Sequence, residues 1–294
     1  MSLNKPIWKL KDWIDKDKLN IRELSLYNKK VLYLIKNNIN LGYISLNPNC
    51  VEYLKENILE FREKINWNYL SLNKNAINIL DKNPQKINWQ YLAINKNAIN
   101  ILEKNPEKIN WDNLSLNKNA IHLLEKNPEK INWENLSINP NAIELLKANP
   151  DKIYWENLSF NPNAIELLKA NPRYIFWDNL SLNKNAIKLL EKQQDKINWD
   201  NLSLNPNAIK ILEQNKDKID WINLSRNKNA IELLKANPDK IDWNKISSNP
   251  SIFELDYEKM RNNNQEMYEE LIKEVMKPSR VFKNPDYDYL ENKK

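Results

Sequence analysis

One glycine (Gly42), one cysteine (Cys50) and one histidine (His122) are all that this 294-residue chain contains of three residue types on which much protein chemistry depends. A lone glycine leaves no Gly-rich loop to cradle a phosphate. A lone cysteine cannot form an internal disulfide, so a reducing compartment, the cytoplasm, is the expected setting. Without a His/Cys cluster no transition-metal site assembles, and neither a cofactor nor a small-molecule ligand is expected. No apolar run approaches the ~18 residues needed to span a bilayer, so no membrane partner is expected. The start, Met1-Ser-Leu-Asn-Lys-Pro, also lacks the apolar core of a secretory signal. The acidic residues mostly stand beside lysines, and a catalytic carboxylate pair finds little support among them. The expectation is a chain that is not an enzyme.

What the chain has is repetition. Trp67, Trp89, Trp111, Trp133, Trp155, Trp177, Trp199, Trp221 and Trp243 follow one another at intervals of 22 residues. Strict self-similarity at this period is the mark of a solenoid, so function is read from repeat columns. Columns are numbered here from the Trp as position 1. Two irregular units precede the nine, with Ile21 and Leu41 in the Trp column at spacings of 20 and 26. Such irregularity is expected of an end unit that lacks a neighbour. Cys50 stands where other units have alanine, and reads as a buried small hydrophobe.

Helix signals recur in every unit. In every Trp unit position 7 is Asn, a strong N-cap, and position 8 is Lys or Pro, the latter suited to a first helical turn. Apolar residues at positions 10, 11 and 14, such as Ala142, Ile143 and Leu146, share one helix face. Asn149-Pro150 and its equivalents stop the helix, because a residue before proline is pushed out of the α region. A second start is marked at position 22 by Asn66, Asn88, Asn110, Asn132, Asn198, Asp220 and Asp242, just before the Trp. The fold expected is all-α: a right-handed solenoid of 22-residue units, each a ~10-residue helix plus a short α or 3₁₀ helix, with Trp, Leu, Ile and Ala inside. Stacked at ordinary helix-packing distances, the units would make a rod of roughly 100 Å. A competing fold is the leucine-rich repeat, because Trp67-x-x-Leu70-x-Leu72-x-x-Asn75-x-Ile77 fits a strand with an Asn ladder. Against it, position 6 would be core, yet it holds Arg226 and Ser248.

The run Leu136-Ser137-Ile138-Asn139-Pro140-Asn141-Ala142 followed by Leu145-Leu146 resembles the leucine-rich repeat variant family, whose units alternate an α-helix with a 3₁₀ helix. Asp12-Trp13-Ile14-Asp15-Lys16-Asp17-Lys18-Leu19 and the phrases Asn-Pro-Asn-Ala-Ile and Asn-Pro-Asp-Lys-Ile are similar to short-repeat proteins of unknown function from giant DNA viruses. That likeness covers roughly residues 10–290 and includes Met276-Lys-Pro-Ser-Arg280. It implies a viral interaction module and supplies no activity.

The organisation expected is an N-terminal cap (1–20), two irregular repeats (21–66), the regular array (67–254), a capping helix (255–277) and an extended tail (278–294). The formal charge of +6 and a column of lysines at position 20 raise RNA or DNA binding as an alternative. Nearly every one of those lysines follows an acid, however, which reads as a compensated, solvated face. His122, in a variable column, reads as a solvated helix-face residue. The main departure from the repeat lies in two adjacent units. Tyr154 and Phe176 replace the position-22 cap, Phe160 stands at position 6, and Arg173 and Tyr174 occupy positions 19 and 20. Four aromatics and an arginine have the composition of an interface hot spot. They are the candidate partner-binding residues, with repacking of a bent core as the competing reading. The partner expected is a protein, of the host or the virus.

Overall fold

A computed structural model describes residues 7–27, 41–61 and 63–276; the tail expected at 278–294 lies outside them. Two compact units result, one of residues 12–252 and one of the flanking segments on either side of it.

In residues 12–252 the 22-residue unit is helical, and the strand-based alternative is excluded because its first six positions form an α-helix. Trp133–Ile138 shows why. Asn132 precedes it in extended geometry, and its side-chain oxygen accepts from the N–H of Asn135 at 3.0 Å, satisfying a donor that the first turn leaves free. Ser137 Oγ donates back to the Trp133 carbonyl at 2.8 Å. The helix ends at Asn139, whose backbone N–H closes on Leu136 O at 2.9 Å.

The expected ten-residue helix is not there. A turn follows Asn139, then a six-residue helix, Ile143–Ala148, then a 3₁₀ turn, Pro150–Lys152. Two local forces divide the segment. Asn139 Oδ1 engages the N–H of Asn141, only two residues on, at 3.0 Å; this Asx turn competes with helix nucleation. Asn149, before Pro150, is held at φ −132°, ψ 63°, and the helix stops. Its Nδ2 donates to Leu145 O at 2.9 Å and caps the last turn.

Neighbouring units are joined by a ladder of asparagine side chains. Asn161 Nδ2 donates to Ser137 O at 3.0 Å and to Asn139 O at 2.8 Å, both in the preceding unit. Asn163 Nδ2 reaches Pro140 O at 2.8 Å. The N–H at position 22 donates to the position-5 serine one unit back, as Asn132 does to Ser115 Oγ at 3.1 Å. The position-7 asparagines are almost fully buried together with the leucines at positions 4 and 14 and the alanines at position 10. Among the described residues no buried side-chain N or O lacks a partner.

The array does not end as an open rod. Asn20, which holds the position-22 column before Ile21, donates from its backbone N–H to Ser247 Oγ of the last unit at 2.8 Å. Its Nδ2 reaches Asn244 Oδ1 at 3.2 Å, as Asn132 Nδ2 reaches Asp112 Oδ1 at 3.1 Å within the array. Lys18 Nζ lies 5.1 Å above the Trp243 ring, as each position-20 lysine named below lies above the Trp one unit back. The helix Ile21–Tyr27 also packs against Leu41–Ile44 on its other side, where Arg22 stands 5.3 Å over the Tyr43 ring. The first unit thus contacts both the second and the last, and the circuit of units closes. A small rotation per unit, repeated through the array, brings the last unit round to the first.

In the flanking unit, β1 (Trp8–Leu10) pairs antiparallel with β2 (Phe253–Leu255), with Lys9 opposite Glu254. Lys9 and Lys11 approach the Glu254 carboxylate at 3.4 and 3.6 Å. A helix, Tyr257–Val275, follows, capped by Asp256, whose Oδ1 accepts from the Lys259 N–H at 3.0 Å. It falls within the 255–277 segment expected to be helical, and the cap sets its beginning. No helix among the described residues is long and apolar enough to cross a membrane.

Candidate partner-binding site

Seven Trp helices begin with an Asn or Asp cap whose side chain accepts a backbone N–H, among them Asn132 and Asp220. Two do not. Tyr154 and Phe176 stand in the same extended conformation before Trp155 and Trp177 but make no side-chain cap bond. Their backbone N–H groups keep the ladder, donating to Ser137 Oγ and Ser159 Oγ at 3.1 Å each. Their rings point outward: Tyr154 is 51% and Phe176 46% exposed. A cavity of about 510 Å³ beside Tyr154 lies among Trp133, Glu134, Asp151 and Lys152.

Tyr174 is placed by a different rule. In other units the position-20 lysine lays its ammonium over the Trp ring one unit back. Lys130 lies 4.6 Å from the Trp111 centroid, Lys152 5.0 Å from Trp133 and Lys196 4.9 Å from Trp177. Tyr174 takes that place above Trp155, stacked at 4.7 Å and 16°. Arg173 stands 5.3 Å over the Tyr174 ring. Trp155, Tyr174 and Arg173 thus form one stack at the end of the helix where Tyr154 sits. Phe176 holds the equivalent place in the next unit. Phe160, half-buried, lies at the other end of helix Trp155–Phe160, about 9 Å away at 1.5 Å per residue, and belongs to a different face.

Two readings made from the repeat are corrected here. The Trp column is half-buried rather than interior, because the next unit covers the rings of Trp89, Trp111, Trp133, Trp177, Trp199 and Trp221 with a flexible lysine rather than a packed side chain. The position-20 lysines named above are not neutralised by the acids that precede them. Among the described residues no such pair comes within ion-pair distance, because the ammonium is drawn to the electron-rich face of the Trp. The signal was present in the sequence, since Lys at position 20 and Trp at position 1 recur together. Sequence adjacency favoured the acid.

His122 Nε2 lies 3.0 Å from Glu103 Oε1, and both side chains are largely exposed. The Cys50 thiol is buried and its pKa is pushed up to about 12 by desolvation, which keeps it protonated and inert at neutral pH.

A second face went unrecognised in the sequence. Positions 6 and 8 of successive units converge on one cavity of about 370 Å³, where Leu46, Leu72, Ile94 and Leu116 meet Lys74, Lys96 and Lys118. Five successive units line this one space, as the inner wall of a circuit that closes on itself would be lined.

No family model, curated protein or solved structure matches the chain. Of the resemblances noted in the sequence, the repeating helical unit of about 22 residues is what the structure bears out.

Proposed function

We propose that this chain is a non-enzymatic repeat scaffold that binds a protein partner through the exposed aromatic patch of Tyr154, Tyr174 and Phe176 with Arg173. The observation that carries this reading is the exposure of Tyr154 and Phe176. Each forgoes a side-chain cap worth ~1 kcal/mol and leaves about half of a large aromatic ring open to solvent, where the column elsewhere carries a small polar residue. A local break in the repeat that leaves apolar surface exposed fits a contact with a partner. The neighbouring stack adds rigid aromatic area and a planar cation, the combination that anchors protein interfaces. Recognition of nucleic acid through the position-20 lysines is disfavoured, because those ammonium groups are already engaged by the Trp rings. A cytoplasmic setting fits a single buried thiol.

The test is the pair of substitutions Tyr154→Asn and Phe176→Asn, which restores the column. Thermal stability is expected to hold or rise while capture of the native partner, in affinity purification from the cell of origin, is lost. Capture that survives the change, or a protein that melts well below wild type, overturns the assignment. Capture that collapses on raising the salt would point to phosphate binding instead.

A further inference from the structure

The inner wall has a charge pattern that the rest of the chain lacks. In the nine Trp units, positions 6 to 9 contain no acidic residue, while Lys74, Lys96, Lys118, Lys184, Lys228 and Arg226 stand at positions 6 and 8. These six cations equal the whole formal excess of +6, so the remaining side chains sum to zero. Lys74, Lys96 and Lys118 have no carboxylate within ion-pair distance among the described residues, unlike Lys147 and Lys169 on the outer helices, each paired within its helix at 2.9 and 2.8 Å. A concave wall bearing one sign of charge focuses its field into the space it encloses. Within the cavity the position-6 residues beside the ammonium groups are aliphatic, Leu46, Leu72, Ile94 and Leu116, each half-exposed, whereas farther along the column stand Phe160 and Arg226.

We infer that this wall is a binding groove for an acidic peptide segment carrying aliphatic side chains, supplied by a protein partner as an extended end or loop. Each of three successive units offers one apolar contact and one cation, which complements a chain presenting apolar and acidic side chains alternately. Extended peptide alternates its side chains in that way. Among the described residues the cavity lining holds no aromatic residue, which disfavours nucleic acid, whose bases seek aromatic faces to stack on. The cavity also runs across five units, longer than a small anion needs. The inference rests on the chain being a protein-binding module, but it uses none of the residues of the aromatic patch.

The experiment uses the full chain and a fluorescein-labelled dodecapeptide of alternating Glu and Leu, read by anisotropy. One variant is Lys74→Gln, Lys96→Gln and Lys118→Gln; a second is Leu72→Ser and Leu116→Ser, changes that the column tolerates naturally at Ser248. Each is expected to weaken binding by about tenfold or more, and the wild-type affinity is expected to fall with salt. A Lys and Leu peptide and a Glu and Ser peptide should bind poorly. If the glutamine variant melts lower than wild type, the exposed Lys118→Glu alone supplies the same comparison. Affinity unchanged in the variants overturns the inference, as does tighter binding of labelled oligothymidine that depends on the same lysines. The Tyr154→Asn, Phe176→Asn protein should bind the peptide as wild type does, so the two proposals fail separately.

Discussion

Replacing Asn161 by alanine removes the side chain that joins two units most completely. Asn161 is fully buried. Its Nδ2 serves Ser137 O and Asn139 O of the preceding unit at 3.0 and 2.8 Å, and its Oδ1 holds the Asn163 N–H at 3.0 Å. Asn139 O keeps a second donor, the Ala142 N–H at 3.1 Å, so truncation strands chiefly the Ser137 carbonyl and the Asn163 N–H. An unmade buried bond costs ~1–3 kcal/mol, and because the Asn163 N–H is only partly buried and stands at the low end, the loss comes to about 2–4 kcal/mol. For a chain of this size that lowers the melting temperature by roughly 5–15 °C. A simple N-cap, the role that the sequence suggests for position 7, would cost ~1 kcal/mol.

Asn161→Asp separates the two roles. A carboxylate caps as well as an amide does, but here it would face two carbonyl oxygens without a donor. The variant is therefore expected to fall below Asn161→Ala at neutral pH. Burial and carbonyl contact raise the introduced acid's folded-state pKa above its unfolded value of about 3.9. Stability is then fully present below the unfolded pKa and lost as pH rises, so the deficit against alanine should shrink on acidification toward pH ~4. Denaturant midpoints at the two pH values check this. A loss under ~1 kcal/mol for alanine, or an aspartate variant as stable as wild type at neutral pH, refutes the ladder role.

Two further outcomes follow from burial and closure. Native Cys50 should resist a water-soluble disulfide reagent at pH ~8 and react once the chain is unfolded; rapid labelling of the folded protein contradicts the burial. Ser247→Ala, at the junction with Asn20, should cost what Ser137→Ala costs inside the array, about 1 kcal/mol. A silent Ser247→Ala beside a costly Ser137→Ala means that the circuit is open.

What the sequence discloses is what a single unit contains. The cap at Asn132, the stop at Asn149-Pro150 and the apolar face of Ala142, Ile143 and Leu146 are each decided by residues within a few positions of one another, and each forms. Asn139 is different. Its spacing before Pro140 fits an N-cap equally well whether its amide group points at water or at the next unit. The carbonyl that engages that amide, Ser115 O, lies about one unit back and belongs to the backbone, which leaves no mark in the residue type. The same blindness covers Trp133. Its nearest apolar neighbours in sequence predict an interior ring, and only packing shows that its outer face meets Lys152 from the following unit. The missing cap at Tyr154 and Phe176 is legible in the sequence, but whether their rings are exposed or repack a bent core is decided only by packing, and the separation of Phe160 needs the helix between them.

Closure changes how the irregular first units are read. In an open solenoid the end units are expected to turn polar on one side, since they have a neighbour on one face alone. Ile21–Tyr27 has neighbours on both, and Leu24 and Ser25 are as buried as Leu136 and Ser137 in the middle of the array. Asn20, Leu24 and Ser25 therefore retain the consensus not as remnants of a decaying repeat but because their contacts require it. Ser25 Oγ still donates to the carbonyl of Ile21 at 2.8 Å, the bond that Ser137 makes to Trp133. The contact between Asn20 and Ser247 spans 227 residues of chain, a loop whose closing entropy grows only as the logarithm of its length. The bonds of one ordinary junction, repeated there in the same columns, are what hold it.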